Sequence, residues 1–518
     1  MTWEPEVNEL KYRKSLAQQM GGERGIAEQK RRGKLTARER INEFCDVNSF
    51  REFAGLTGTA TYDNATLSSF IPKGSVEGFC SINGRRVIVN AGDFTVRGGS
   101  GGSSSTGLGA EPRATERALE SRLPYIRLLD AAGGSVRGFE TLGRTYVPDG
   151  NTFTQFDVKL LQVVPVVSAV LGSVAGLPAV NACIAHFNIM VKEISQLFPG
   201  GPPVVKAALG YDITKEDLGG EQIHVYQSGV VDNLAESEED AFEQIRQFLS
   251  YLPQNVWDIP ERIEPHDDPN RCDEELLSIV PRDTRRPYDA HKVIDHVVDT
   301  DSFFEIAPHY AKSRITGLAR IDGYPVGVMA NNTAVMGGTT DVAAGDKVIR
   351  FIQLCDTFHL PIISFADEPG FMVGLESEKK GIERAGARLV IATCESRTPW
   401  LTIVMGQLYG VAGQCQQRPS GLFRRYVWPS ARWGSMHIEG GVSAAYRREI
   451  EESDNPEEKL AEIEARLQAM ASPFRTAENT GQDVIDPRDT RPVIVEFVHD
   501  AQNILKTQTG PNPVPYRP

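Results

Sequence analysis

Short apolar runs of strand length recur along the chain, and each is followed by a glycine-containing turn and then by sequence of helical character. The first half contains RRVIVNAG (85–92), YIRLLDA (125–131) and VVSAVLGS (166–173). The second half contains YPVGVMAN (324–331), IISFADEP (362–369) and LTIVMGQ (401–407). Strand, turn and helix in repetition are typical of α/β proteins, so the pattern predicts an α/β fold.

One uncharged run could be mistaken for a membrane span. Residues 160–191 contain no Asp, Glu, Lys or Arg, and the run is long enough to cross a bilayer. Two prolines, several small residues and a central Gly/Pro cluster divide it into shorter pieces. We therefore favour a buried strand, a tight turn and a buried helix here, and we expect no membrane association.

The two halves of the chain repeat each other. Residues 78–99 align without a gap with residues 317–338, and nine of the 22 positions are identical. The correspondence continues between residues 123–134 and 360–371, and between residues 165–179 and 399–413. The repeat predicts an internal duplication that produces two tandem domains.

A change in composition marks the boundary between the halves. Residues 252–288 carry six prolines and many charges, which suits a linker that runs over the surface. We predict an N-terminal domain at 1–260, a Pro-rich linker at 261–288 and a C-terminal domain at 289–518. The charged segments 27–44 and 455–474 predict exposed helices.

Charge and cysteine usage exclude several classes of protein. The net charge of -14 argues against a nucleic-acid-binding protein. The seven cysteines form no CxxC pair, and His186, His224, His359 and His437 lack the spacing of metal ligands, so we expect no metal site. An odd number of scattered cysteines and an N-terminus without an apolar signal region predict a cytoplasmic protein.

The glycine turns after the third apolar run of each half could carry chemistry. Backbone N–H groups in such a turn, with a helix starting behind them, point at one spot and can stabilise an oxyanion. Alternatively, the glycines only allow a strand and a helix to pack closely. Equivalent turns in both halves favour two similar sites, each able to hold a carbonyl oxygen.

Other polar positions are more ambiguous. Asp130 and Asp367 end equivalent runs and could act as acids or bases, but we favour helix N-caps; Glu368 is expected to be solvated. The Gly/Ser-rich segment 97–109 lacks the phosphate-binding patterns GxxxxGK[ST] and GxGxxG. It could be a mobile loop lining a site or simply a flexible surface loop.

Several longer motifs resemble one known family. They include GKLTARERINEFCDVNSFREF (33–53), SQLFPGGPPVVKAALGYDITKEDLGG (195–220), DEPGFMVGLESEKKGIERAGARLV (367–390), WPSARWGSMHIEGGV (428–442) and ASPFRTAENTGQDVIDPRDTRPVI (471–494). In this order they resemble the β (carboxyltransferase) subunits of biotin-dependent acyl-CoA carboxylases, such as propionyl-CoA and methylcrotonyl-CoA carboxylases. The likeness spans almost the whole chain.

This resemblance implies two crotonase-like (ClpP/crotonase) domains and a homo-hexameric ring. It implies transfer of a carboxyl group from carboxybiotin to the α-carbon of an acyl-CoA, with acyl-CoA on the N-terminal domain of one subunit. By motif, the thioester oxygen would be held by the N–H groups of Gly176 and Leu177. Gly133 and Gly134 would line the CoA side.

On the biotin side, the resemblance implies that the N–H groups of Val411 and Ala412 hold the ureido oxygen, with Gly410 opening the turn. The chain has no lysine in an Ala-Met-Lys-Met setting, so biotin would come on a separate subunit. A biotin carboxylase or biotin carboxyl carrier subunit is therefore the implied partner.

Both turns depart from the family pattern. Where relatives commonly have Gly-Gly-Ala, this chain has Gly176-Leu177-Pro178-Ala179, and Val411 replaces the second glycine of the other turn. These changes motivate an alternative, a catalytically silent or decarboxylase-type ring subunit that acts as a scaffold in a larger CoA-enzyme assembly.

Overall fold

The computed structural model describes residues 2–99, 111–134, 136, 139–140, 143–145, 150–417 and 421–518. The chain divides into two compact units, Met1–Asp258 (unit one) and Ile259–Arg517 (unit two). Within these residues no helix is long and apolar enough to cross a membrane.

Unit one is built on a mixed sheet. In its described part the sheet has eight strands in the order β1-β4-β5-β6-β7-β8-β10, with β9 pairing to the end of β7. Strands β1, β4 and β5 are antiparallel, and β5 to β8 and β10 are parallel. A separate hairpin is formed by β2 and β3. The strands are β1 Arg51–Glu52, β2 Gly58–Asp63, β3 Thr66–Pro72, β4 Ser75–Ile82, β5 Arg85–Gly92, β6 Tyr125–Ala131, β7 Val166–Ala175, β8 Phe187–Val191, β9 Gln196–Phe198 and β10 Asn233–Ala235.

Unit two repeats this sheet. Its described strands follow the order β11-β12-β13-β14-β15-β16-β18, and β17 pairs with the end of β15. The strands are β11 Phe304–Glu305, β12 Arg314–Ile321, β13 Tyr324–Asn331, β14 Ile362–Glu368, β15 Trp400–Tyr409, β16 Phe423–Val427, β17 Arg432–Gly434 and β18 Asp483–Val484. The shared strand order confirms the duplication predicted from the sequence, and with it the α/β class.

Helices cover the sheets. Those of unit one are Glu4–Gln18, Gly22–Arg31, Ala37–Phe44, Ala114–Ser121, Gly150–Leu160, Leu177–Cys183, Pro202–Leu209, Lys215–Gly219, Glu221–His224 and Glu238–Ser250. Those of unit two are Ala290–Val297, Val342–Thr357, Leu375–Lys379, Ile382–Glu395, Gly410–Gln414, Ile438–Ala445, Arg447–Glu451, Pro456–Gln468, Pro473–Thr480 and Thr490–Leu505. The last of these buries Ile494, Phe497, Val498 and Ala501, the apolar stripe of an amphipathic helix, in the core of unit two.

The repeated glycines have a packing reason. A Cβ atom at Gly78 would lie 2.4 Å from the ring of Phe50, and one at the equivalent Gly317 would lie 2.5 Å from the ring of Phe303. Such distances are too short for any side chain, so an aromatic ring crosses the strand at this point in each unit. The same close packing contact in both units therefore explains why both positions are glycine.

The apolar runs form strands close to their predicted bounds. RRVIVNAG, YIRLLDA and YPVGVMAN coincide with β5, β6 and β13, and the other three runs lie in β7, β14 and β15. The uncharged run 160–191 forms β7, the short helix Leu177–Cys183 and β8. Successive parallel strands buried on both faces explain its lack of charge.

We expected the charged segment 27–44 to form one exposed helix, and this expectation was wrong. The segment contributes to two helices, because Gly33 interrupts them and a capping box of Thr36 and Glu39 starts the second. The second helix is buried on one face, where Arg40 and Phe44 are fully covered. Ion pairs described below compensate the buried cation.

The Pro-rich segment has little regular structure. Within residues 252–288 the structure contains only the 3-10 turn Glu274–Leu277. From Ile259 onward the segment belongs to unit two, where Arg262 forms an ion pair of 2.7 Å with Asp322 and the N–H of Ile263 donates to the carbonyl of Gly323 at 3.1 Å.

Candidate functional site

The first candidate turn connects β7 to the helix Leu177–Cys183. Gly176 adopts φ +69° and ψ −136°, a conformation that disfavours other residues. Its N–H donates to the carbonyl of Phe198 at 3.2 Å, which conflicts with its predicted role as a donor to substrate. Pro178 has no N–H, so the N–H of Leu177 is the donor without an acceptor among the described residues of this turn.

A second glycine turn touches the first. Gly133 follows β6 with φ +80°, and a Cβ atom there would lie 2.4 Å from the carbonyl oxygen of Ala175 and 3.6 Å from the Cα of Gly176. The neighbouring Gly134 is exposed and has open space around its Cα. The structure thus brings Gly133 and Gly176 together at the carboxyl edge of the parallel strands, where α/β sheets commonly bind ligands.

The equivalent turn of unit two follows β15. Gly410 has φ +60° and opens the helix Gly410–Gln414. The side chain of Val411 is 52% exposed, whereas Ala412 is buried. In the described residues, the N–H groups of Val411 and Ala412 have no acceptor, as expected for the first turn of a helix. This turn therefore presents two unpaired backbone donors.

A histidine braces this second turn. The ring of His437 lies 4.2 Å from the ring of Tyr409, the residue before Gly410, and its Nε2 lies 2.6 Å from the carbonyl oxygen of Pro369. From the sequence we weighed His437 only as a metal ligand, and this contact was not expected. In the part of the chain that the structure describes, no group of three or more His, Cys, Asp or Glu is arranged to hold a metal ion.

Asp130 is neither a helix N-cap nor a free acid or base, which corrects our expectation. It lies in β6, fully buried, and its carboxylate accepts hydrogen bonds from Lys34 at 2.7 Å, Arg40 at 3.2 Å and Gln29 at 2.9 Å. Arg40 also pairs with Glu238 at 2.6 Å, so two cations meet two anions. Sequence reasoning missed Lys34 and Arg40, because both lie in the segment taken as exposed.

The equivalent Asp367 has a different environment, and it too is not an N-cap. It lies in β14 and accepts hydrogen bonds from the Tyr288 hydroxyl at 3.0 Å and the Gln407 N–H at 2.7 Å, without a cation. Glycines on the next strand make room for both carboxylates: a Cβ atom would lie 2.2 Å from Asp130 at Gly172 and 2.3 Å from Asp367 at Gly406.

Glu368 is fully buried rather than solvated, which corrects a further expectation. It pairs with Arg314 at 3.0 Å and accepts hydrogen bonds from Thr340 at 2.7 Å and Asn331 at 3.0 Å. The buried cation Arg314 on β12 explains why a carboxylate is retained here. The carboxylates of Asp130, Asp367 and Glu368 are therefore engaged in structural ion pairs and hydrogen bonds. The predicted loop 97–109 lies largely outside the described residues, which omit 100–110.

Asp367 predicts a pH dependence of stability. Burial raises the pKa of Asp367 from 3.8 to about 6, so its contribution is fully present below pH 3.8 and is lost as pH rises through about 6. In the Asp367→Asn variant the side chain at position 367 is uncharged at every pH, so the variant should not lose this contribution to stability. Between about pH 5 and about pH 8 the variant is expected to gain about 1–2 kcal/mol of unfolding free energy relative to the unmodified protein. Urea unfolding of both proteins at both pH values measures their unfolding free energies. If the difference in unfolding free energy between the two proteins is the same at both pH values, the prediction is wrong.

Comparisons with known proteins agree with this architecture. The chain matches the carboxyl transferase domain family over residues 28–508. It is 38% identical to the propionyl-CoA carboxylase, carboxyltransferase subunit, of Haloferax mediterranei, over 98% of each chain. It is 35% identical to the methylmalonyl-CoA decarboxylase subunit alpha of Veillonella parvula, over 92% of this chain and 91% of that one.

A solved structure shows the same fold. Transcarboxylase 12S, described as a hexamer assembly with methylmalonyl-coenzyme A and methylmalonic acid bound, superposes with a TM-score of 0.87 at 32% identity, over 97% of this chain and 96% of that one. These matches confirm the family resemblance and the tandem crotonase-like fold. The chain belongs to the carboxyl transferase domain family, as a relative of the carboxyltransferase subunits of acyl-CoA carboxylases.

Proposed function

We propose that this chain is a carboxyltransferase subunit that moves a carboxyl group between carboxybiotin and the α-carbon of an acyl-CoA. The observation that carries the proposal is the pair of equivalent turns at Gly176 and Gly410, each at the end of a parallel strand. Each turn has at least one backbone N–H group without an acceptor among the described residues. Full-length similarity to proteins named as acyl-CoA carboxyltransferases supports the same conclusion.

In unit one, the N–H of Leu177 holds the thioester oxygen. Negative charge develops on this oxygen when the α-carbon loses its proton, and a fixed donor stabilises it. The turn at Gly133 and Gly134 lies against Gly176 and leaves open space for the CoA ester. With the N–H of Gly176 bonded to Phe198, Leu177 carries this role in the resting chain.

In unit two, the N–H groups of Val411 and Ala412 hold the ureido oxygen of biotin. Two adjacent donors fit an oxygen acceptor of this kind, and Gly410 adds no side chain at the approach. When bound, carboxybiotin supplies the carboxyl group, and its freed ureido nitrogen is the base for the α-proton. A protein acid or base is then unnecessary, in agreement with the buried, hydrogen-bonded states of Asp130, Asp367 and Glu368.

The oligomeric state, the biotin-carrying partner and the cellular location belong to the same proposal. We propose a homo-hexamer, supported by the hexamer assembly in the description of transcarboxylase 12S. Biotin is supplied by a separate biotin carboxylase or carboxyl carrier subunit, since this chain lacks a biotinylation motif. We also propose a cytoplasmic location, supported by an odd number of scattered cysteines that form no disulfide in the structure.

A silent scaffold is not favoured, because the N–H groups of Leu177, Val411 and Ala412 have no acceptor among the described residues despite the altered turns. The decarboxylating direction uses the same site, and a relative is named as a decarboxylase subunit. Direction in the cell is therefore separate from the chemistry proposed here.

The reverse half-reaction tests the proposal. The purified protein, given free biotin and malonyl-CoA or methylmalonyl-CoA, is expected to release CO₂, because the carboxyl group passes to biotin and carboxybiotin then breaks down. Omitting biotin is the control and should abolish the release. Absence of turnover with every ester, together with absence of CoA-ester binding in calorimetry, would refute the carboxyltransferase and support the scaffold.

A further inference from the structure

A cavity of about 310 Å³ lies in unit two beside the second turn. Its apolar lining includes Leu408, Val427 and Trp433, and its polar lining includes Gln417, Arg425 and Ser435. This volume is at the small end of the range of about 300–1,000 Å³ that is usual for ligand pockets, and apolar walls with a few convergent polar groups are their usual lining.

Among the described residues, Arg425 is the one cation of this lining, and it has no acidic partner there. Its Nε donates to the side-chain oxygen of Gln482 at 2.7 Å, and its Nη1 donates to that of Gln417 at 2.8 Å. Both acceptors are neutral amides. Burial lowers the pKa of Arg425, and no carboxylate of the described residues offsets this effect. A half-buried guanidinium that faces a cavity without a counter-charge is a binding group for an anion.

The residue before Arg425 is also an arginine, but its partners are carboxylates of the chain itself. Arg424 lies on the same strand, β16, and forms ion pairs with Glu496 and Asp500 of the last helix. Successive residues of a strand face opposite sides, so Arg424 and Arg425 differ in their surroundings rather than in their chemistry. Arg424 is therefore a matched control for any test of Arg425.

We propose that this cavity binds a small carboxylate with an apolar body, and that Arg425 holds the carboxylate. The remaining guanidinium edge of Arg425 suits a planar carboxylate, while Leu408, Val427 and Trp433 cover the apolar part. The single cation among the described lining residues matches a carboxylate, which carries one negative charge, better than a phosphate, which carries more. Gly410 of the second turn also lines this cavity, so the site adjoins the biotin site proposed above. The proposal concerns binding alone and is tested without the carboxyltransferase activity.

Isothermal titration calorimetry with hexanoate tests this site. The unmodified protein is expected to bind hexanoate at millimolar concentrations, and Arg425→Gln should weaken binding about tenfold or more because a charge-assisted hydrogen bond is lost. Arg424→Gln should bind within about twofold of the unmodified protein. Hexanamide, the neutral analogue of the same shape, should bind about tenfold more weakly than hexanoate.

Each outcome decides the question. Failure of the unmodified protein to bind hexanoate, equal binding by Arg425→Gln, or binding of inorganic phosphate as tight as that of hexanoate would overturn the proposal. Circular dichroism melting identifies a variant that fails to fold. If Arg425→Gln does so, Arg425→Lys replaces it, and preserved binding by the lysine variant together with weak binding of hexanamide supports the site.

Discussion

Replacing Asp130 by asparagine is expected to destabilise unit one by about 3–5 kcal/mol, because the change leaves two buried cations, Lys34 and Arg40, with the single counter-charge of Glu238. Lys34 and Arg40 both donate to this carboxylate, and their side chains are almost completely covered. For a unit of this size, the loss corresponds to a fall in melting temperature of roughly 6–20 °C. Differential scanning calorimetry or circular dichroism melting at neutral pH measures it.

The duplication supplies the matched control. Asp367→Asn changes the same atoms at the equivalent position of unit two, where a tyrosine hydroxyl and a backbone N–H replace the cations. At neutral pH this variant should change stability by less than about 1 kcal/mol or increase it, since no buried charge loses a partner. Equal destabilisation by the two variants would contradict the charge argument and indicate a shared packing role.

Replacing Leu177 by proline is expected to lower acyl-CoA turnover by about 10²–10³-fold, the usual cost of removing one oxyanion donor. Proline deletes the N–H that we assign to the thioester oxygen, and the first helical position accepts proline better than any later one. The biotin-dependent decarboxylation of methylmalonyl-CoA is the readout, and it should fall mainly in kcat.

Leu177→Ala is the companion variant, because it trims the side chain and keeps the N–H. It should retain turnover within about tenfold of the unmodified protein. A folded Leu177→Pro variant with nearly full activity would exclude this N–H as the oxyanion donor. If both variants lose activity equally, the side chain of Leu177 rather than its backbone is what the substrate contacts.

Local features of the fold could be predicted from the sequence, and distant partners could not. The apolar runs identified β5, β6 and β13 with their correct bounds, since strand length and flanking glycines are written in neighbouring residues. The pairing of Lys34 and Arg40 with Asp130 spans 96 and 90 residues, and no local pattern records it. Charge in segment 27–44 therefore looked like solvent exposure.

The candidate site shows the same limit. Position in the repeat identified the turns at Gly176 and Gly410, and both have the positive φ that explains the glycine. Which N–H groups stay unpaired depends on strands formed elsewhere, since β9 supplies the carbonyl of Phe198 that engages Gly176. The sequence motif locates the turn, whereas the surrounding sheet determines how many backbone N–H donors of the turn stay unpaired.

The contacts of the Pro-rich segment bear on how the two halves can be separated in the laboratory. Arg262 and Ile263 bond to the turn between β12 and β13, and Tyr288 bonds to Asp367 of β14, so the Pro-rich segment belongs with the downstream half. A recombinant fragment intended to isolate that half should begin upstream of Arg262. A cut at residue 289 would remove these bonds, together with others such as those from Arg271 to the carbonyls of His296 and Val298, and would yield a weaker fragment.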